Sequence, residues 1–296
     1  MKRIALALVT ALLVSSFAAA APRKNTSSIS LPITYDFTTV DYPHASITYL
    51  LGINDFDDVV GYYGSVGHGF TLFLPSDFKT ENYPGATSTG VFGINNNQNL
   101  ESAGTWIDKA GKYHGFLRNA NNWWDVDYPG TTNNYIYGLN DNDVAAGFYY
   151  DGDGNAHAYI YSQPGNQYIP IIIPGNDYAW AAGVNDYNTV VGTYAGSSGF
   201  SGFEIYGLSF TALNYPGAYD TWATGINNYG AVSGYYFDEG GYHGFVYYGG
   251  VWEEVDDPNS VGETFVWGIN DFFDLVGWGQ PTSSTVFGFV AYPSGD

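Results

Sequence analysis

The chain has no cysteine, one methionine, and only eight lysines and arginines in 296 residues. Each shortage excludes something. Without cysteine there is no disulfide, no thiolate ligand and no thiol nucleophile, so the folded domain must be held by its own core. Against 29 acidic residues the few bases leave a net charge of −21. No basic face is available to neutralise phosphates, which excludes nucleic acid as a partner. An anionic membrane surface is disfavoured for the same reason. No run approaches the roughly 20 apolar residues of a spanning helix, so membrane insertion is not expected. Long helical periodicity is missing too.

What is present begins with a leader. Lys2 and Arg3 precede an apolar run from Ile4 to Val14, and Ala18-Ala19-Ala20 is a small-residue cleavage pattern. This predicts a secretory signal peptide over residues 1–20, cut after Ala20, and an extracellular or periplasmic protein. Residues 21–33 read as a linker and residues 34–296 as one domain. Aromatic residues make up 19% of the chain, with 39 glycines and 12% charged residues. That mixture suits tightly turned β-structure.

The dominant signal is repetition. Gly-aliphatic-Asn occurs at Gly52-Ile53-Asn54, Gly93-Ile94-Asn95, Gly138-Leu139-Asn140, Gly183-Val184-Asn185, Gly225-Ile226-Asn227 and Gly268-Ile269-Asn270. The spacings are 41, 45, 45, 42 and 43 residues. Each motif is followed by a second glycine, then a Gly-aromatic or similar pair, then a proline at Pro43, Pro84, Pro129, Pro174, Pro216 or Pro258. Turn chemistry divides each unit into four short strands. A period near 43 with four strands predicts a propeller blade, because an isolated blade leaves its faces uncovered until neighbours stack on them. Six first strands are countable, but the last unit stops after its third strand. The segment from Tyr35 to Pro43 carries the pattern of a fourth strand, so it should complete the sixth blade and close a six-bladed ring.

Six residues before the prolines lie Phe37, Phe78, Trp123, Tyr168, Phe210 and Trp252. An aromatic in every blade reads as packing between blades, as does the repeated Thr48, Thr89, Thr221 and Thr264. The ordered pattern GINDxxxVVGxY, HGF, DYPGA resembles the HAF-repeat family of extracellular bacterial repeat proteins over Tyr35 to Tyr292. That resemblance implies secretion and a repeat fold but no defined reaction. The chain departs from the pattern at "IIIPG" and "DDPN", where Tyr-Pro-Gly is expected.

Candidate chemistry is sparse. His68, His114, His157 and His243 begin third strands beside Asp41, Asp127 and Asp256. A His–Asp array can hold a metal or move protons, but its repetition favours pinned turns. No cofactor is required by any motif. Asp151, Asp153 and Asn155 have the alternate oxygen spacing of a calcium loop, though Ala156 stands where glycine is expected and no glutamate follows at the twelfth position. There is no nucleophile elbow, zinc signature or phosphate loop. The favoured reading is a secreted, non-catalytic binding or surface-interaction module, expected to be monomeric, with a glycan as ligand class. Near-equal units would suit multivalent recognition. Trp106, Trp124, Trp180, Tyr219, Trp222 and Trp278 are the candidate ligand-stacking residues. The alternatives are a polysaccharide hydrolase or lyase using the central mouth, and a structural envelope or matrix protein.

Overall fold

Short turns and alternating burial make strands of most of the chain. The computed structural model describes residues 32–97, 101–282 and 285–294. The expected signal peptide and residues 21–31 of the linker lie outside them. The described residues contain no helix; their 24 strands form six four-stranded antiparallel sheets. This is a six-bladed β-propeller. In the first blade, Thr48–Ile53, Asp58–Tyr63, His68–Phe73 and Asp77–Thr80 pair in sequence order.

The first strand of each sheet lies at the axis. These inner strands are Thr48–Ile53, Ser88–Ile94, Asn133–Leu139, Ala179–Val184, Asp220–Ile226 and Thr264–Ile269. Each is bulged at the residue before the motif glycine. Only glycine fits there, because neighbouring inner strands converge. A Cβ at Gly52 would stand 2.6 Å from the Phe92 carbonyl oxygen, and one at Gly138 would stand 2.7 Å from that of Ala182.

The motif asparagine then has two tasks. Asn54 Oδ1 accepts the backbone N–H groups of Phe56 and Asp58, which caps the turn. Its Nδ2 donates to the Asn95 carbonyl of the next blade at 3.1 Å. Asn95, Asn140, Asn185, Asn227 and Asn270 pass the same bond on, and Asn270 returns it to the Asn54 carbonyl at 3.1 Å. Six buried amides thus form a closed circuit.

The Tyr-Pro-Gly segment joins one blade to the next. Tyr42, Tyr83 and Tyr215 donate their backbone N–H to Thr48, Thr89 and Thr221 Oγ1, each at 3.0 Å. Their rings stack on the second strand of the following blade: Tyr42 on Tyr63 at 3.5 Å, Tyr83 on Trp106 at 4.2 Å, Tyr215 on Tyr236 at 3.7 Å. The recurrent outer-strand aromatics meet these rings, with Phe78 4.9 Å from Tyr42 and Trp123 5.3 Å from Tyr83. They are interblade packing. The ring closes through Tyr35–Val40, which pairs antiparallel with Thr285–Pro293 and places Phe37 opposite Ala291.

Candidate functional site

The axis divides into three zones. At the Gly-aliphatic-Asn end, the residue after each asparagine forms a second circuit. Asp55 N–H donates to Asn96 Oδ1, Asn96 to Asp141, Asp141 to Asp186, Asp186 to Asn228, Asn228 to Asp271, and Asp271 to Asp55. Four carboxylates and two carboxamides therefore surround a small polar cavity of about 80 Å³. Asn96 Nδ2 bridges Asp55 and Asp141, and Asn228 Nδ2 bridges Asp186 and Asp271. Burial holds the Asp55 and Asp186 carboxyls above their ordinary value, and neighbouring carboxylates add to it. The waist of the channel is glycine and aliphatic side chains.

The opposite mouth is aromatic. The residue before each motif glycine points to the axis, and here the repeat is broken: Leu51, Phe92, Tyr137, Ala182, Thr224 and Trp267. Small residues at Ala182 and Thr224 leave a cavity of about 220 Å³, which the large Trp267 faces from the sixth blade. Its wall is a closed chain of ring contacts. Trp267 lies 5.9 Å from Tyr137, Tyr137 5.3 Å from Phe148, and Phe148 6.3 Å from Trp180. Phe200 links Trp180 at 5.3 Å to Trp222 at 5.8 Å. Trp222 stacks on Tyr235 at 4.9 Å, and Tyr235 returns to Trp267 at 6.3 Å. Trp180 Nε1 donates to the Tyr150 hydroxyl at 3.3 Å. Burial, then neighbouring tyrosines, pushes the Tyr137 and Tyr235 hydroxyls well above their ordinary value. Both stay neutral and able to donate. The lining residues include Thr193 and Thr224 but no carboxylate and no histidine.

Of the residues singled out in the sequence, Trp180 and Trp222 meet at this mouth. The others are elsewhere. Trp106 is sandwiched between Tyr83 and His114, with Nε1 donating to Asp125 Oδ1 at 3.1 Å. Trp124 packs on the core of the third blade, and Trp278 stacks on Phe265 at 3.8 Å. Tyr219 is exposed on the rim of an open cleft between the fourth and fifth blades. Asp151 Oδ1 accepts the N–H groups of Asp153 and Asn155, and its Oδ2 meets His157 Nε2 at 2.8 Å. This is a capped hairpin turn, and it holds Asp151 well below the usual carboxylate range, chiefly through His157. Tyr137, Tyr235 and Trp267 are not among the sequence candidates. For Tyr137 and Trp267 the signal was the variability of the position before a glycine that never varies; Tyr235, on the second strand opposite Trp222, carried no such signal.

The histidines stand on stacked aromatics at the outer rim. His114 Nδ1 is 2.7 Å from Asp127 Oδ2, and His243 Nδ1 is 2.6 Å from Asp256 Oδ2. Burial alone would lower the His243 pKa; the Asp256 hydrogen bond and neighbouring carboxylates outweigh it and raise it. The most perturbed carboxyl near neutrality is Glu101, pushed up to about 7 by burial and by Asp143. A further cavity, apolar and of about 240 Å³, lies between the third and fourth blades beside the exposed Ile172 and Leu208.

The sequence matches no protein-family model and no curated protein. Solved structures share the fold. The SapL1 lectin in complex with α-methyl fucoside is 12% identical with a TM-score of 0.56, over 85% of this chain and 94% of that one. A catalytically inactive virginiamycin B lyase from Staphylococcus aureus with quinupristin is 10% identical with a TM-score of 0.51, over 87% and 99%. A gluconolactonase from Xanthomonas campestris is 10% identical with a TM-score of 0.50, over 84% and 87%. A lectin, a lyase and a lactonase on one scaffold place this chain among β-propellers and leave its chemistry to its own residues.

Proposed function

We propose that this protein is a secreted, non-catalytic binding module that takes a neutral carbohydrate at the aromatic mouth of its ring. One observation carries the reading: a closed girdle of aromatic rings around a cavity opened by Ala182 and Thr224. The C–H faces of a sugar stack on indole and phenol rings, while tyrosine and threonine hydroxyls supply hydrogen bonds of fixed direction. At about 220 Å³ the cavity is below the roughly 300–1,000 Å³ of drug-sized sites, which suits one terminal sugar ring. The net charge of −21 disfavours an anionic ligand. The lectin neighbour supports the ligand class by analogy only. Sixfold multivalency finds less support, because the recurrent aromatics are consumed between blades. The absence of a carboxylate or histidine from the lining favours binding over hydrolysis at this mouth.

A glycan array followed by calorimetry tests the reading. Trp180→Ala and Trp222→Ala should each weaken binding by about tenfold or more. Tyr219→Ala, at a separate cleft, should leave it unchanged. A blank array, or equal binding by the two tryptophan variants and the parent, would refute the assignment.

A further inference from the structure

We propose that the fifth blade binds a divalent transition-metal ion of the zinc class through His243, Glu254 and Asp256. One ligand atom from each of these residues lies within 4.8 Å of the others. Among the described residues they are the one such trio. They come from adjacent strands, Gly241–Tyr248 and Val251–Val255, with Asp256 immediately after the second.

Each ligand is held by something else. Gly244 N–H donates to Asp256 Oδ1 at 3.3 Å, which turns Oδ2 toward His243 Nδ1. Asp238 Oδ1 stands 3.5 Å from His243 Nε2, on the far side of the ring. A carboxylate on the second nitrogen is the usual backing of a metal-ligating imidazole, fixing its orientation and raising its basicity. Tyr236 lies under the imidazole at 5.2 Å and donates its hydroxyl to Glu254 Oε2 at 2.5 Å. Glu254 Oε1 is left to the metal. One nitrogen and two carboxylates suit a borderline ion with a further position open to water. Calcium would need six to eight oxygens.

The second blade supplies an internal control. His114 repeats the arrangement, with Asp127 at 2.7 Å from Nδ1 and Asp108 at 3.6 Å from Nε2. The residue matching Glu254 is Asp125: it faces Phe116 as Glu254 faces Phe245. Asp125 is one methylene shorter, and its Oδ1 already accepts from the Tyr83 hydroxyl and Trp106 Nε1. With the shorter acid, His114, Asp125 and Asp127 do not come together as such a trio. The longer acid, together with tyrosine in place of Trp106, distinguishes the fifth blade.

The test is calorimetric titration of the full chain, freed of metal by chelator, with Zn²⁺ in a non-coordinating buffer. One saturable site per chain is expected. His243→Ala and Glu254→Gln should each weaken it by about tenfold or more. Glutamine still accepts the Tyr236 hydroxyl, so the second variant keeps the fold. His114→Ala should bind as the parent does, and excess Ca²⁺ should not compete. No saturable uptake, parent-like affinity in Glu254→Gln, an equal loss in His114→Ala, or displacement by calcium would each overturn the assignment.

Discussion

Asn140 shows how one amide can serve two blades. Its Oδ1 caps its own turn through Asn142 and Val144, and its Nδ2 donates to the Asn185 carbonyl at 2.8 Å. Asn140→Ala would leave that carbonyl with only the Asn188 N–H and would orphan two N–H groups. A loss of about 1–3 kcal/mol is expected in urea denaturation. The neighbouring carboxylate ring should behave oppositely. Asn96 and Asn228 already fill two of its six places, so asparagine at Asp55 keeps the acceptor for the Asp271 N–H and gives up the one bond from Asn96 Nδ2. Because burial raises the Asp55 pKa, its ionised form is penalised in the folded state. That penalty is absent well below the ordinary value of 3.8, and it grows as pH rises through the raised folded value. Asp55→Asn should therefore raise the melting temperature at pH 7 and not at pH 3. A lower melting temperature at pH 7 would show that the Asn96 Nδ2 bond to Asp55 Oδ2, which asparagine cannot accept, outweighs the burial penalty. Trp123, which contacts Tyr83, Phe116 and Arg118, should cost about 3–5 kcal/mol on truncation to alanine. Trp180→Ala, beside an existing cavity, should cost clearly less by the same denaturation assay.

At the scale of the strand, the inner strands are set by steric closeness. Glycine is required where each meets the next, and Gly138→Ala would drive a Cβ to 2.7 Å from the Ala182 carbonyl oxygen, a backbone atom that cannot swing aside. A loss of roughly 1–3 kcal/mol is expected, read as a lowered denaturation midpoint with an unchanged slope. This also explains what could be read in advance. Positions that every blade uses for the same contact, such as Gly52, Asn54 and Phe78, must recur, and recurrence is visible in one sequence. The mouth depends on positions that differ between blades. Ala182 and Trp267 occupy equivalent places, and nothing in the sequence says that one makes room for a cavity the other faces. Trp180 and Trp222 stand three residues before Gly183 and Gly225, at a register position that holds Tyr49, Tyr135 and Phe265 in other blades. Residue type alone made them candidates, and it also selected Trp106 and Trp278, which pack. The same reasoning accounts for the departures: Asp257 replaces the Tyr-Pro-Gly tyrosine where the stacking partner has become Gly279, and Ile173 replaces it in the blade that has Ser201 for histidine.

For the whole molecule, the ring depends on the strand Tyr35–Val40. Tyr35–Val40 gives the sixth blade its outer strand, and Phe37 packs edge-on against Phe289 at 5.3 Å. A chain beginning at Ser46 would lose both and leave Thr285–Pro293 as an open edge. It should aggregate and melt well below the full chain, while removal of residues 21–30 alone should change little. The two Asn and Asp circuits link the sixth blade back to the first, so unfolding should be a single transition rather than a blade-by-blade loss. Closure matters to the proposed binding because the mouth is lined by residues of the third to sixth blades. The most direct measurement is a structure of the full chain with the best-binding oligosaccharide. The account predicts a terminal sugar ring in the axial mouth, in contact with Trp180, Trp222 and Trp267. A sugar seated instead on the rim stacks or in the cleft beside Tyr219, with the mouth empty, would contradict it.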